Sequence, residues 1–109
     1  MTNQQYEACI NACTKCAQLC NGCVTACLQG GDVKSMTICI LSCLDCAQIC
    51  QLCISFTARS SKNAGALCGL CADICEACAN ECAMCDMAEC KECAQACRNC
   101  ADECKKMVM

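Results

Sequence analysis

The sequence predicts an all-α chain, an antiparallel up-down-up-down four-helix bundle with a cysteine-lined core. Three observations carry this expectation: cysteines recur at alternating steps of four and three residues, they do so in four separate blocks, and proline is absent. Alternating steps of 3 and 4 mark the a/d seam of an α-helix packed in a bundle.

The first block is Cys9, Cys13, Cys16, Cys20, Cys23 and Cys27. With Cys13 at position a, its flanks are Ile10, Ala12, Ala17, Leu19, Val24 and Ala26, and its outward face carries Asn11, Thr14, Lys15, Gln18, Asn21 and Thr25. The second block is Cys39, Cys43, Cys46, Cys50 and Cys53. Its outward positions include Ile38, Leu41, Leu44 and Leu52, so this helix is apolar nearly all round and is expected to be covered by an oligomer partner. The third block is Cys68, Cys71, Cys75, Cys78, Cys82 and Cys85, and the fourth is Cys90, Cys93, Cys97, Cys100 and Cys104. In the fourth, Ala94, Ala96 and Ala101 flank the seam while Lys91, Glu92, Gln95, Arg98, Asp102 and Lys105 lie outside. Short breaks at Gly30-Gly31-Asp32, Ser60-Ser61-Lys62-Asn63 and Asp86-Met87 make neighbouring helices antiparallel.

Length and composition limit what such a chain does. Its 109 residues suit one domain, read here as 1–109. The hydrophobic content of 57% is misleading, because 22 residues are cysteine and the aromatics are only Tyr6 and Phe56. The interior is therefore expected to be mostly sulfur. A net charge of −3 argues against nucleic acid as a partner, since phosphate binding needs clustered Lys and Arg. No stretch is expected to reach the roughly 18 apolar residues of a membrane span. The opening Met1 to Tyr6 lacks the basic and apolar regions of a signal peptide, so a cytoplasmic location with reduced thiols is expected.

A high cysteine count also fits a secreted disulfide scaffold, but such scaffolds are rich in loops, Gly and Pro. Helical cysteines three or four apart have Cβ atoms about 5–6 Å apart, whereas a disulfide wants about 3.5–4.5 Å. A thiol oxidoreductase built on one CxxC pair is also disfavoured. Such motifs need an exposed helix N-terminus, and these pairs lie along a buried seam. Histidine is absent, no phosphate-binding glycine loop occurs, and no catalytic residues are assigned.

Thiolates in bulk are soft-metal ligands, suited to Cu(I), Zn(II) or iron–sulfur clusters. The loop spacing of iron–sulfur proteins is missing. Zinc held by four thiolates carries two negative charges per site, and stacking such sites in a dry bundle costs heavily. Cu(I) with shared thiolates approaches a neutral core, which is far cheaper to bury. A linear S–Cu–S unit spanning roughly 4.5 Å lies within reach of a pair on one helix. The expected function is binding and storage of multiple Cu(I) ions, with a zinc- or cadmium-sequestering protein of metallothionein type as the alternative. Apolar flanks such as Leu19, Ile40, Ile49, Ile54 and Ile74 imply that the bundle folds before metal arrives.

The recurrence of CxxxCxxC seams on every helix, with Ala-rich runs such as Cys71 to Cys78, resembles the copper storage proteins, and their cytosolic branch in particular. That resemblance implies Cu(I) held by cysteine thiolates inside the bundle, many ions per chain and assembly into a homo-tetramer; a copper-donating chaperone is a further expected partner. The resemblance also implies histidines near one open end, which this chain lacks. At that end the topology gathers Met36, Met84 and Met87 beside Cys27, Cys39, Cys85 and Cys90. Thioethers are neutral soft ligands for Cu(I), so Met36, one position beyond the second seam, is a candidate ligand where copper enters. Flexible filler is the competing reading, and the stronger one for Met84 and Met87. The opposite end offers Tyr6, Phe56, Leu67 and Met107 and reads as a plug.

Overall fold

The computed structural model describes residues 3–30 and 32–108, so Gly31 of the first expected break lies outside the described residues. Four helices follow in order: α1 (Asn3–Gln29), α2 (Thr37–Ala58), α3 (Ala64–Ala83) and α4 (Ala88–Lys105), with a short 3₁₀ turn at Lys34–Met36. Each packs against the helices before and after it around a square, α1 closing against α4. The result is a rod of 44 × 17 × 17 Å. This is the antiparallel bundle the seams predict, and no strand occurs among the described residues.

Small residues set the narrow cross-section. Ala17, Ala47, Ala72, Ala79, Ala94 and Ala101 are buried between helices. Leu19, Ile40, Ile54 and Ile74 cover the grooves from outside, packed against the core without facing into it. Cysteine thus fills the axis while aliphatic side chains supply the walls.

The closed end is built by two devices. Helix α2 stops where Ser60 adopts a left-handed φ of 52°. There the Ser61 and Ser60 amides donate to the Phe56 and Thr57 carbonyls at 2.9 and 3.0 Å, which satisfies two terminal acceptors. Beyond α4 the chain turns back, with the Met107 and Val108 amides donating to Cys104 and Lys105. The Met107 carbonyl lies over Gly65, where an added Cβ would sit 3.2 Å from it. Met107 itself is fully buried, with Tyr6 and Leu67 packed against the same cluster. Arg59 stacks on the Phe56 ring at 4.6 Å. The expected plug is present.

Two expectations need correction. The third seam does not hold Cys85 in a helix, because α3 ends at Ala83 and Cys85 sits in the connecting turn, its amide donating to the Cys82 carbonyl. Second, Lys34–Ala58 is long and apolar enough to cross a membrane by length and composition, with 44% of its apolar window buried in the bundle. Its hydropathy has two sources, cysteines facing inward and aliphatics facing out. Ile38, Leu41 and Leu52 are 66%, 57% and 50% exposed, so the outward face anticipated for this helix is real.

Candidate metal centre

All 22 cysteines are free thiols, and every one except Cys85 is buried. The helical stagger brings i,i+4 sulfurs together: Cys16–Cys20 at 4.0 Å, Cys71–Cys75 at 3.7 Å, Cys93–Cys97 at 3.9 Å. Sulfurs on different helices are as close or closer. Cys23–Cys90 and Cys46–Cys75 stand at 3.4 Å, with Cys16–Cys46 and Cys43–Cys82 at 3.5 Å. The expected pairing along one helix is therefore only half of the arrangement.

These distances bear on coordination. With metal–sulfur bonds near 2.3 Å, two sulfurs on a linear ion stand about 4.5 Å apart and three around a trigonal ion about 4.0 Å apart. The spacings of 3.4–4.0 Å therefore favour higher coordination or sulfurs shared between ions. Sets of four sulfurs lie within 4.8 Å of one another, among them Cys16/Cys46/Cys50/Cys75 and Cys16/Cys20/Cys46/Cys97. Further sets are Cys20/Cys78/Cys93/Cys97, Cys23/Cys39/Cys43/Cys82 and Cys13/Cys71/Cys100/Cys104. The sets overlap: Cys16, Cys20, Cys46 and Cys97 each belong to two. The core is a continuous column of soft donors.

The column runs from Cys9, Cys68 and Cys104 at the plug to Cys27, Cys39 and Cys90 at the other end. Near the plug, Thr57 stands one step beyond Cys53 in the α2 seam, fully buried, its hydroxyl 3.8 Å from the Cys68 sulfur. Sequence reasoning missed it because the search followed sulfur; the step of four after Cys53 is the signal that finds it. At the far end a depression of about 460 Å³ is lined by Met36, Cys39, Met84, Cys85 and Met87, with Glu81 and Asp86 at its border. Met36 precedes α2 at the end of the 3₁₀ turn but still packs against the core, as does Met87. Met84 is 72% exposed. Gly30 has no room for a side chain: a Cβ there would meet the Ala26 carbonyl at 2.9 Å and the Met87 methyl at 3.0 Å.

Among the described residues no cationic side chain lines this interior, and at the open end burial is the largest influence on the thiols, whereas deeper in the column neighbouring thiols lower some and raise others. Burial pushes Cys27 up to about 12, against the hydrogen bond from Cys90. Cys39 and Cys90 are raised as well, burial again the first cause. The sign of the consequence follows. A thiol whose folded pKa exceeds its unfolded value, 9.0 here, stabilises the fold fully below that value and progressively less as pH rises through the folded one. Metal-free, reduced protein should therefore lose melting temperature between about pH 9 and pH 12. Thermal melts followed by circular dichroism in a buffer series check this; a flat melting temperature across that window contradicts it.

Comparison with known proteins agrees with this geometry. A family profile described as "Copper storage protein" matches residues 2–109. A Cu(I)-bound copper storage protein, BsCsp3, superposes with a TM-score of 0.92 at 41% identity, covering 96% of this chain and 99% of that one. A cytosolic copper storage protein from Streptomyces lividans, carrying five coppers, gives 0.93 at 33% identity, covering 96% of this chain and 92% of that one. An uncharacterized cysteine-rich protein, YhjQ of Bacillus subtilis, is 43% identical over 89 residues, 81% of this chain and 82% of its own length. With matches that span the bundle and a core built from overlapping thiol sets, the chain belongs to the copper storage protein family.

Proposed function

We propose that this chain binds and stores multiple Cu(I) ions along the sulfur column, with all 22 cysteines as ligands and Met36 as a contact at the open mouth. The observation that carries the reading is the overlap of the four-sulfur sets, since Cys16 and Cys46 each serve two of them. Separate tetrahedral ions cannot use one sulfur twice without bridging. Bridging thiolates with a monovalent ion bring the buried charge toward zero, whereas divalent sites of four thiolates accumulate negative charge in a dry interior. Cu(I) bound to BsCsp3 and copper loaded into the Streptomyces lividans relative support the same cargo here.

Residues 1–109 act in this reading as one storage domain with no catalytic step. The cytosolic description of the Streptomyces relative supports a cytoplasmic location. The exposed Ile38, Leu41 and Leu52 supply a face for self-association, which the tetramer reading would cover. That reading treats Lys34–Ala58 as a bundle helix and not a span, since its cysteines pair with those of α1, α3 and α4. A donor protein delivering copper as a thiolate complex completes the scheme.

Titration of reduced protein under anaerobic conditions tests the cargo. Two thiols per ion give about 11 Cu(I) and bridging raises this toward about 20, while four per ion limit zinc to roughly 5. Saturation with Cu(I) above ten equivalents is expected. Saturation near five with Zn(II), at higher affinity than Cu(I) in competition, would replace the copper reading with zinc sequestration.

A further inference from the structure

Cys85 differs from every other cysteine of the chain. It lies in the turn after α3 and not on a helix, and it is the one thiol left half-buried. Its surroundings differ too. The interior thiols are ringed by other thiols, but Cys85 shares its depression with the thioethers of Met36, Met84 and Met87 and only one buried thiol, Cys39. Cys90 lies on its inner side, raised first by burial and then by the neighbouring Cys85 thiol. From Cys90 the column continues at once, to Cys23 at 3.4 Å and Cys27 at 3.7 Å. From Cys39 it continues to Cys82 at 3.6 Å.

We infer that Cys85, alone among the 22 cysteine ligands, serves transfer more than lasting storage: with the Met36 and Met87 thioethers it forms an outer Cu(I) site, through which ions pass between a thiolate-bound donor in solution and the column. The inference rests on the storage reading and adds a division of labour to it. A site of one thiolate and neutral thioethers holds Cu(I) less firmly than bridging thiolates do, because only one ligand carries charge. It is also reachable, whereas Cys39 and Cys90 are buried. Weak binding at an accessible point suits exchange, and firm binding in a closed column suits storage.

The transfer is ligand exchange, and copper stays Cu(I) throughout. The Cys85 thiol gives its proton to water as its sulfur bonds the ion, and one donor thiolate leaves and takes up a proton; the remaining donor thiolate leaves and is protonated from water as the Met36 and Met87 thioethers bond the ion. Cys90 or Cys39 then loses its proton in turn and bonds the same ion, and the Cys85–Cu bond breaks as Cys85 is reprotonated. No electron moves and no oxidant is needed. Removal runs the same steps backward.

Cys85→Ser tests this, compared with Cys9→Ser at the plug, which removes one thiol equally. Cys85 lies outside both helix and core, so its replacement leaves the bundle intact, and far-UV circular dichroism verifies that. Loading is followed from a Cu(I)–bicinchoninate complex, and removal by excess bathocuproine disulfonate. Cys85→Ser should keep capacity within one equivalent of the unaltered protein while both rates fall several-fold. Cys9→Ser removes a column ligand and should lose capacity, with both rates falling far less than in Cys85→Ser. Unchanged rates in Cys85→Ser, or equal slowing in Cys9→Ser, would overturn the transfer role while leaving storage intact. No Cu(I) uptake by the unaltered protein would remove the storage reading itself, and this inference with it.

Discussion

Reduced, metal-free protein should show a strongly helical far-UV spectrum and a cooperative melt, and Cu(I) should raise its melting temperature by tens of degrees. The first half follows from what packs without sulfur–metal bonds. Ile49 and Met107 are buried, Leu19, Ile40, Ile54 and Ile74 seal the grooves, and buried alanines favour helix at close approach. The thiols themselves pack as small hydrophobes in contact with one another. The second half is linkage. Each ion bound only by the folded state adds about 2.7 kcal/mol at a hundredfold excess over its Kd. Several such ions exceed the whole stability of an ordinary domain, about 5–15 kcal/mol. At about 4–8 °C per kcal/mol for a chain near this size, the shift is large. A coil spectrum that becomes helical only with metal would instead make this a metal-folded domain, and would show that the aliphatic walls do not suffice.

The bundle was legible because one residue type marks the seam. Steps such as Cys13, Cys16, Cys20 and Cys23 state the helical period directly, and the four blocks state the helix count. Where the period is ambiguous the reading fails, and Cys85 is the example. Three residues after Cys82 it continues the pattern numerically, but only four residues separate it from Cys90, and two antiparallel helices need that stretch for their turn. The chain leaves the helix at Met84, and Cys85 comes out of the column. Thr57 fails in the opposite direction, a seam position hidden by its chemistry and exposed by its spacing. Lys34–Ala58 exceeds the expected apolar length because its cysteines add to the hydropathy as apolar residues besides serving as ligands. The cross-helix sulfur distances were beyond reach, since a sequence gives the face of each helix but not the axial register between helices. Cys46 meeting Cys75 at 3.4 Å is set by that register.

Changing Met36, Met84 and Met87 together to Leu should slow Cu(I) uptake by on the order of tenfold, the kinetic equivalent of about 1.4 kcal/mol, with final capacity nearly unchanged. Leucine keeps volume and helix propensity while removing the sulfur donor. All three methionines border the depression at the mouth, where Cys39 and Cys85 are the thiols within it. They do not contribute alike. Met36 and Met87 pack against the core and stay in place, Met87 lying where Gly30 has given up a side chain. Met84 extends into solvent. The interior thiols remain untouched in the variant, so equilibrium titration should still reach the same endpoint. Single changes sort the three: Met36→Leu should carry the largest share, because it stands against Cys39 at the start of the α2 seam. The Tyr6 and Met107 end is closed by packing, so a Tyr6→Ala control should leave the loading rate alone unless copper passes there. Equal loading kinetics in the triple variant would mean that the methionines are filler and that the Cys85 thiol alone receives the ion.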